Sequence, residues 1–348
     1  MQLKVPFLFP KDTVFFFLVG CMKSGTTWLM DVLDSHPDVC CQGELHPIES
    51  LDSPLTSPPP TLESVAAHAE ALHRWWAMPN SAWNEPFRSS GVLAQAHRDL
   101  DVDLVRFFSE WTMMRFVMAT GRDVPKAIGD KSPSHTRFLP QKIRRFFGPY
   151  EPVVLHLVRD PRDVLVSRWF HVRKLQWAGS RDFGHGFRSA ADRAACERLM
   201  KFPDRPTRKG ERFVTNPNFL EDVLREWSDV NETLAASGPQ FFGSNYVRVR
   251  YEDLRSDLEG SLAVILRTLG VDASPERVRT MRESSDAARK ARKTATFRKG
   301  VVGGWRRHLS PEELAAIRVL APLGAALGYD LIDTNFSDRE TRAGATTS

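Results

Sequence analysis

Residues 13–28 read TVFFFLVGCMKSGTTW, and no other stretch constrains the fold as tightly. The run Thr13 to Val19 is short, continuous, aromatic and β-branched, and it ends at a glycine. That pattern predicts a strand buried on both faces of a parallel sheet. A helix is predicted to follow directly over Thr26 to Leu33, with Trp28, Leu29, Val32 and Leu33 on one side and Ser35-His36-Pro37 as its stop. Gly20 and Gly25 between them stand at phosphate-loop spacing. The free backbone N–H groups and the dipole of a helix start favour an anion there. The nucleotide-triphosphate loop, however, is G-x-x-x-x-G-K-[ST]. Here Lys23 precedes the second glycine, so it reaches the bound group from the side, while Thr26 and Thr27 add hydroxyl donors at the helix start.

The same strand-loop-helix unit returns further on. EPVVLHLV predicts a second buried strand over Val153 to Val158, running into the helix PRDVLVSRWFHVRKLQW. An ATP site would hold Mg²⁺ through a loop hydroxyl and an acidic strand end. This strand ends in Arg159 instead, with Asp160 as N-cap, Pro161 at the first helical position and Ser167 eight residues beyond the arginine. A cation and a hydroxyl there suit a second phosphate, and two separated phosphate subsites imply a bisphosphorylated nucleotide. Further elements are a short strand near Lys126 to Ile128, helices in TRFLPQKIRRFF and FLEDVLREWSDVNETLAA, and a strand in NYVRVRYEDL. A helix closed by Gly270 and a last helix over 310–328, opened by Ser310-Pro311-Glu312-Glu313, complete the set. Repeated strand-loop-helix units define an α/β fold. The expected architecture is one domain over residues 1–333, a central, mainly parallel sheet flanked by helices. Insertions are expected near 51–125 and 178–217, the second mobile and basic, with a basic loop over 283–309 and a disordered tail over 334–348.

Composition narrows the class. With 42% hydrophobic and 26% charged residues the chain reads as a soluble globular protein. The 48 basic against 43 acidic residues are too diffuse an excess for nucleic-acid binding, but they suit a polyanionic small ligand. Cys21, Cys40, Cys41 and Cys196 have neither zinc nor disulfide-framework spacing, so no metal is expected and a reducing, cytoplasmic setting is. The apolar run before Cys21 ends like a lipoprotein cleavage site. Lys11 and Asp12 interrupt it, leaving it too short for a signal segment or a membrane span.

A third element, TFRKGVVGGWRRHL, carries Arg298, Lys299 and Gly300. Alone it reads as a solvated basic loop. In combination, KSGTTW, RDPRDVLVS and FRKGVVGGW, in this order and separation, resemble the sulfotransferases that use 3′-phosphoadenosine 5′-phosphosulfate (PAPS). The resemblance implies a P-loop-like PAPS-binding fold and no metal in the reaction. It implies a 5′-phosphosulfate loop over Lys23, Ser24, Gly25, Thr26, Thr27 and Trp28, with the lysine near the bridging oxygen and the tryptophan near the adenine. Arg159 and Ser167 would take the 3′-phosphate, and Arg298, Lys299 and Gly300 would close over it. There are two departures. The aspartate usual after the third motif's glycine is Gly304 here, and the dimerisation pattern of cytosolic members is absent, so no oligomeric state carries over.

Sulfuryl transfer to an oxygen needs the acceptor proton removed, so a His or carboxylate must lie within reach of that oxygen. Glu44, in CCQGELHP, resembles the glutamate base of the tyrosyl-protein and bacterial branches and is preferred. His135, in GDKSPSH, lies near where the cytosolic branch carries its histidine. Lys131 either lines the same cleft or pairs with Asp130. Trp75, Trp76, Trp83 and Phe87 offer either a satellite core or a wall for an apolar acceptor. The Arg-rich stretch Arg181 to Arg212 is an alternative attractor for an acidic one. The expected acceptor is a small-molecule, glycan or lipid hydroxyl, or an amine. Two other classes stay open: a phosphate-loop small-molecule kinase and a non-catalytic nucleotide-binding module.

Overall fold

A computed structural model of the 348-residue chain describes residues 7–43, 92–132, 139–177, 189–208, 211–291 and 300–332. Five strands form one parallel sheet: β1 (Val14–Val19), β2 (Val39–Gly43), β3 (Ala127–Ser132), β4 (Val153–Val158) and β5 (Tyr246–Arg250), in the order β2-β3-β1-β4-β5. Successive side chains of a strand point to opposite faces, and β1 shows why a run of aromatics can be buried throughout. Phe15, Phe17 and Val19 enter one core, and Phe16 and Leu18 the other. Both faces are therefore covered by helices, as a parallel sheet requires.

The helices are α1 (Thr26–Asp34), α2 (Val92–Thr120), α3 (Leu139–Phe147), α4 (Pro161–Trp177), α5 (Ala190–Lys201), α6 (Pro217–Phe242), α7 (Tyr251–Ser256), α8 (Leu258–Thr268), α9 (Pro275–Ala291), α10 (Pro311–Ile317) and α11 (Ala321–Ala326). Residues of α1, α7, α8 and α9 pack with Phe16 and Leu18, while α2 to α6 and α10 contribute to the core of Phe15 and Phe17. One polar group crosses into that second core with its needs met. His156 on β4 hydrogen-bonds Tyr246 Oη at 2.7 Å and Asn231 Oδ1 at 3.0 Å, and burial lowers its pKa to about 4, so it is a neutral structural group.

The expected single α/β domain with a parallel sheet is what the chain forms, with differences in detail. β2 has no counterpart in the sequence reading, because VCCQG carries only one β-branched residue; its strand character comes from register pairing with β3, Val39 to Ala127 through Gly43 to Lys131. The basic stretch 178–217 holds a helix, α5, capped by Ser189 Oγ accepting from Asp192 N–H at 3.0 Å. Only Cys196 and Leu199 are buried in it, which is why its periodicity is faint. Likewise α9 runs into the expected 283–309 loop, and the last helix is broken into α10, a 3₁₀ turn and α11. Among the described residues no helix is long and apolar enough to cross a membrane.

Candidate active site

In an open α/β sheet ligands lie beyond the carboxyl ends of the strands, where the strand order reverses. Here the chain leaves β1 toward β2 and β3 on one side and later returns to β4 and β5 on the other, so that point falls between β1 and β4. The loop after β1 and the Arg159 end of β4 meet there. Gly20 approaches the Leu157 backbone too closely for any Cβ. Gly25 caps α1 at φ 103°, and a Cβ on it would stand 2.5 Å from the Tyr251 ring. Between them Lys23 itself holds a left-handed backbone at φ 74°, a conformation that costs free energy in a non-glycine residue and clusters at functional sites. That turn directs the Lys23 carbonyl at Arg159, whose Nη1 donates to it at 3.1 Å.

Arg159 is the hub. Its Nη2 donates to the Val301 carbonyl at 3.3 Å, and its guanidinium stacks 4.2 Å over the Tyr251 ring. Tyr251 in turn donates its hydroxyl to the Gly300 carbonyl at 3.1 Å and meets Trp28 edge-on at 5.7 Å. Trp28 donates Nε1 to Ser285 Oγ at 3.1 Å, with Arg255 above its ring. Two donors in this assembly are buried without a partner, Ser24 Oγ and Arg159 Nε. A buried donor left unpaired is costly, and an anion is what both would satisfy. Asp160 accepts from the Arg162 backbone N–H at 2.9 Å, the cap bond expected of it, and grips the Arg162 guanidinium with both oxygens.

The electrostatics agree with an anion site. Burial lowers the Lys23 pKa to about 8, and Arg168, Arg159, Lys131 and Lys174 push it the same way. Because this folded-state value lies below the ordinary 10.5, the unfolded chain holds more protons between about pH 8 and 10.5, and stability rises with pH across that window. Below pH 8 the full penalty of the buried charge is present. Lys23→Met is therefore expected to stabilise the ligand-free protein at pH 7 by about 1–3 kcal/mol, a gain that shrinks toward pH 10.5. Urea titrations of both proteins at the two pH values measure it. The site gives up stability to keep the charge.

Of the residues expected from sequence, Lys23, Ser24, Gly25, Thr26, Trp28, Arg159 and Gly300 are brought into one connected assembly. Thr26 is buried, Thr27 is exposed in the first turn of α1, and Ser167 is half-buried in the second turn of α4. Glu44, His135, Arg298 and Lys299 lie outside the described residues, as do Trp75, Trp76, Trp83 and Phe87. Lys131 is 4% exposed at the end of β3, one of the cations acting on Lys23, and the neighbouring Asp130 takes a hydrogen bond from Ser132.

Three residues were missed. Tyr251 directly follows β5, so its place at the carboxyl end of a parallel strand was the available signal. Arg168, one position past Ser167, pairs with Glu226 on α6 at 3.1 Å and lies against Met22 of the loop. Asp163 accepts backbone N–H groups of the 300–309 segment. Neither of these last two partnerships, 58 and 140 residues apart, leaves a trace in local sequence.

A parallel α/β sheet with a glycine-flanked, lysine-bearing anion loop at its switch point defines a phosphate-group-binding enzyme scaffold. The chain belongs to the sulfotransferase domain family, whose model matches residues 15–320, and it is accordingly a transferase. Structural relatives include a mouse sulfotransferase, SULT7A1, complexed with PAP (17% identity, 92% of this chain and 88% of that one, TM-score 0.49). The sulfotransferase domain of the Synechococcus PCC 7002 olefin synthase aligns at 18% identity (92% and 98%, TM-score 0.45). An Alicyclobacillus acidocaldarius sulfotransferase aligns at 17% (90% and 96%, TM-score 0.41). Curated protein sequences gave no match.

Proposed function

We propose that the protein transfers the sulfuryl group from PAPS to a hydroxyl or amine acceptor by in-line displacement. The observation that carries this reading is Arg159, bonded at once to the carbonyl of Lys23 in the first loop and of Val301 in the third motif. It ties a 5′-side anion loop to a second cationic subsite, as a 3′,5′-bisphosphorylated donor demands. Ser24 Oγ and Arg159 Nε, buried and unpartnered, fit such a donor.

In this reading Lys23 and the loop amides stabilise the charge that builds on the leaving 5′-phosphate oxygen as the S–O bond breaks. Glu44 takes the acceptor proton as the new S–O bond forms, with His135 as the other candidate, and the products are the sulfated acceptor and 3′-phosphoadenosine 5′-phosphate (PAP). Arg159 and Ser167, with Arg298, Lys299 and Gly300, hold the 3′-phosphate, and Trp28 with Tyr251 flanks the adenine. A cytoplasmic setting is in keeping with four free, buried cysteines. The domain spans residues 1–333, and the acceptor is a small-molecule, glycan or lipid group.

Thermal melting tests the donor. A ligand at a hundred times its Kd stabilises the native state by about 2.7 kcal/mol. PAP without magnesium is therefore expected to raise the Tm by several degrees, and ATP with magnesium to leave it in place. The opposite pattern favours the kinase class.

A further inference from the structure

Asp163 lies in the first turn of α4 and is 3% exposed. Its carboxylate faces neither solvent nor a cation at close range. It accepts two backbone N–H groups from the far end of the chain, Gly303 at 2.7 Å on Oδ2 and Trp305 at 3.0 Å on Oδ1. Gly303 sits at φ 72°, so the turn there depends on a residue with left-handed freedom. The Trp305 indole packs beneath the Arg162 guanidinium at 4.2 Å, so the turn is fastened to α4 through a second contact. Two residues before Gly303, the Val301 carbonyl accepts from Arg159 Nη2. The loop itself carries Gly304, and the carboxylate that ties it down comes from α4.

We propose that Asp163 is a positioning residue for recognition of the donor's 3′-phosphate, holding the 301–305 turn so that the Val301 carbonyl aims the Arg159 guanidinium. The chain of contacts is short and fully buried at its centre: Asp163 to Gly303 and Trp305, the turn back to Val301, and Val301 to Arg159. A carboxylate suits the task because each oxygen takes one N–H and both bonds are charge-assisted. An isosteric amide presents only one acceptor and sets its NH₂ against a backbone N–H, so it breaks the turn at one of two points. Asp163 does not itself meet the phosphate, where its charge would repel it. The inference rests on the proposed donor and on the role given there to Arg159.

The test compares PAP with adenosine 5′-monophosphate, which lacks the 3′-phosphate, by isothermal titration of the full chain. For the unaltered protein the expected result is tighter binding of PAP by at least tenfold. Asp163→Asn is expected to weaken PAP by about ten- to thirtyfold while adenosine 5′-monophosphate changes less than threefold. Asp163→Ser, smaller and with one acceptor, serves where the amide variant does not fold, and the same collapse of the ratio is expected. A merely structural role lowers both affinities alike, and an unchanged ratio in a folded variant overturns the inference. An unaltered protein without preference for PAP overturns the donor reading first, and this one with it.

Discussion

Lys23→Ala is expected to lower kcat for sulfuryl transfer about 10²- to 10³-fold while PAP binding falls by no more than about tenfold. Removing one preorganised donor from a developing oxyanion costs that much in other enzymes, because water cannot replace it within a closed site. Lys23 is placed for this work: its backbone is held in a left-handed turn, its carbonyl is fixed by Arg159, and its ammonium is sunk among cations that hold its pKa near 8. Product binding survives because Arg159 and its partners on Tyr251 and Val301 are untouched by the change. Single-turnover measurement with saturating PAPS, alongside titration of PAP, separates the two effects. Near-normal turnover in the variant removes Lys23 from the reaction.

Glu44→Gln is expected to cost about 10²- to 10⁴-fold in kcat, the range of a lost general base, with His135→Gln within about threefold of the unaltered protein. The cost is expected to be smaller for a phenol of low pKa than for an alkyl alcohol, because an acceptor that ionises readily needs less help losing its proton. The two residues follow neighbouring parallel strands: β2 ends at Gly43, paired in register with Lys131 near the end of β3. Kinetics of both variants against a series of substituted phenols checks the assignment. A large loss in His135→Gln with little in Glu44→Gln transfers the role to the histidine.

The parts of this fold that sequence revealed are those whose physics is local. β1 is buried on both faces and so reads as an unbroken apolar run, and α4 declares itself by Asp160 and Pro161 at its start. β2 is the opposite case, since Val39-Cys40-Cys41-Gln42-Gly43 becomes a strand through pairing with β3 and through burial of its cysteines. In α5 and α9 two buried residues each anchor a polar helix, too few to mark a face. The site divides along the same line. Lys23, Gly25 and Arg159 are legible because strand ends and helix starts are local signals. Tyr251, Arg168 and Asp163 act on partners far along the chain, Asp163 across 140 residues, and only the closed sheet brings them together. The departure at Gly304 illustrates the limit: the loop lacks its own carboxylate, and the structure supplies one from another element.

The central claim is tested most directly by incubating the purified protein with PAPS carrying a labelled sulfur, in the presence of a metal chelator, and a panel of phenols, sugars and lipids. The account predicts label transferred to at least one hydroxyl or amine acceptor, with PAP released in equal amount and the transfer lost in Lys23→Ala. PAP-competent protein that transfers no label to any acceptor contradicts it and leaves a nucleotide-binding module in place of an enzyme.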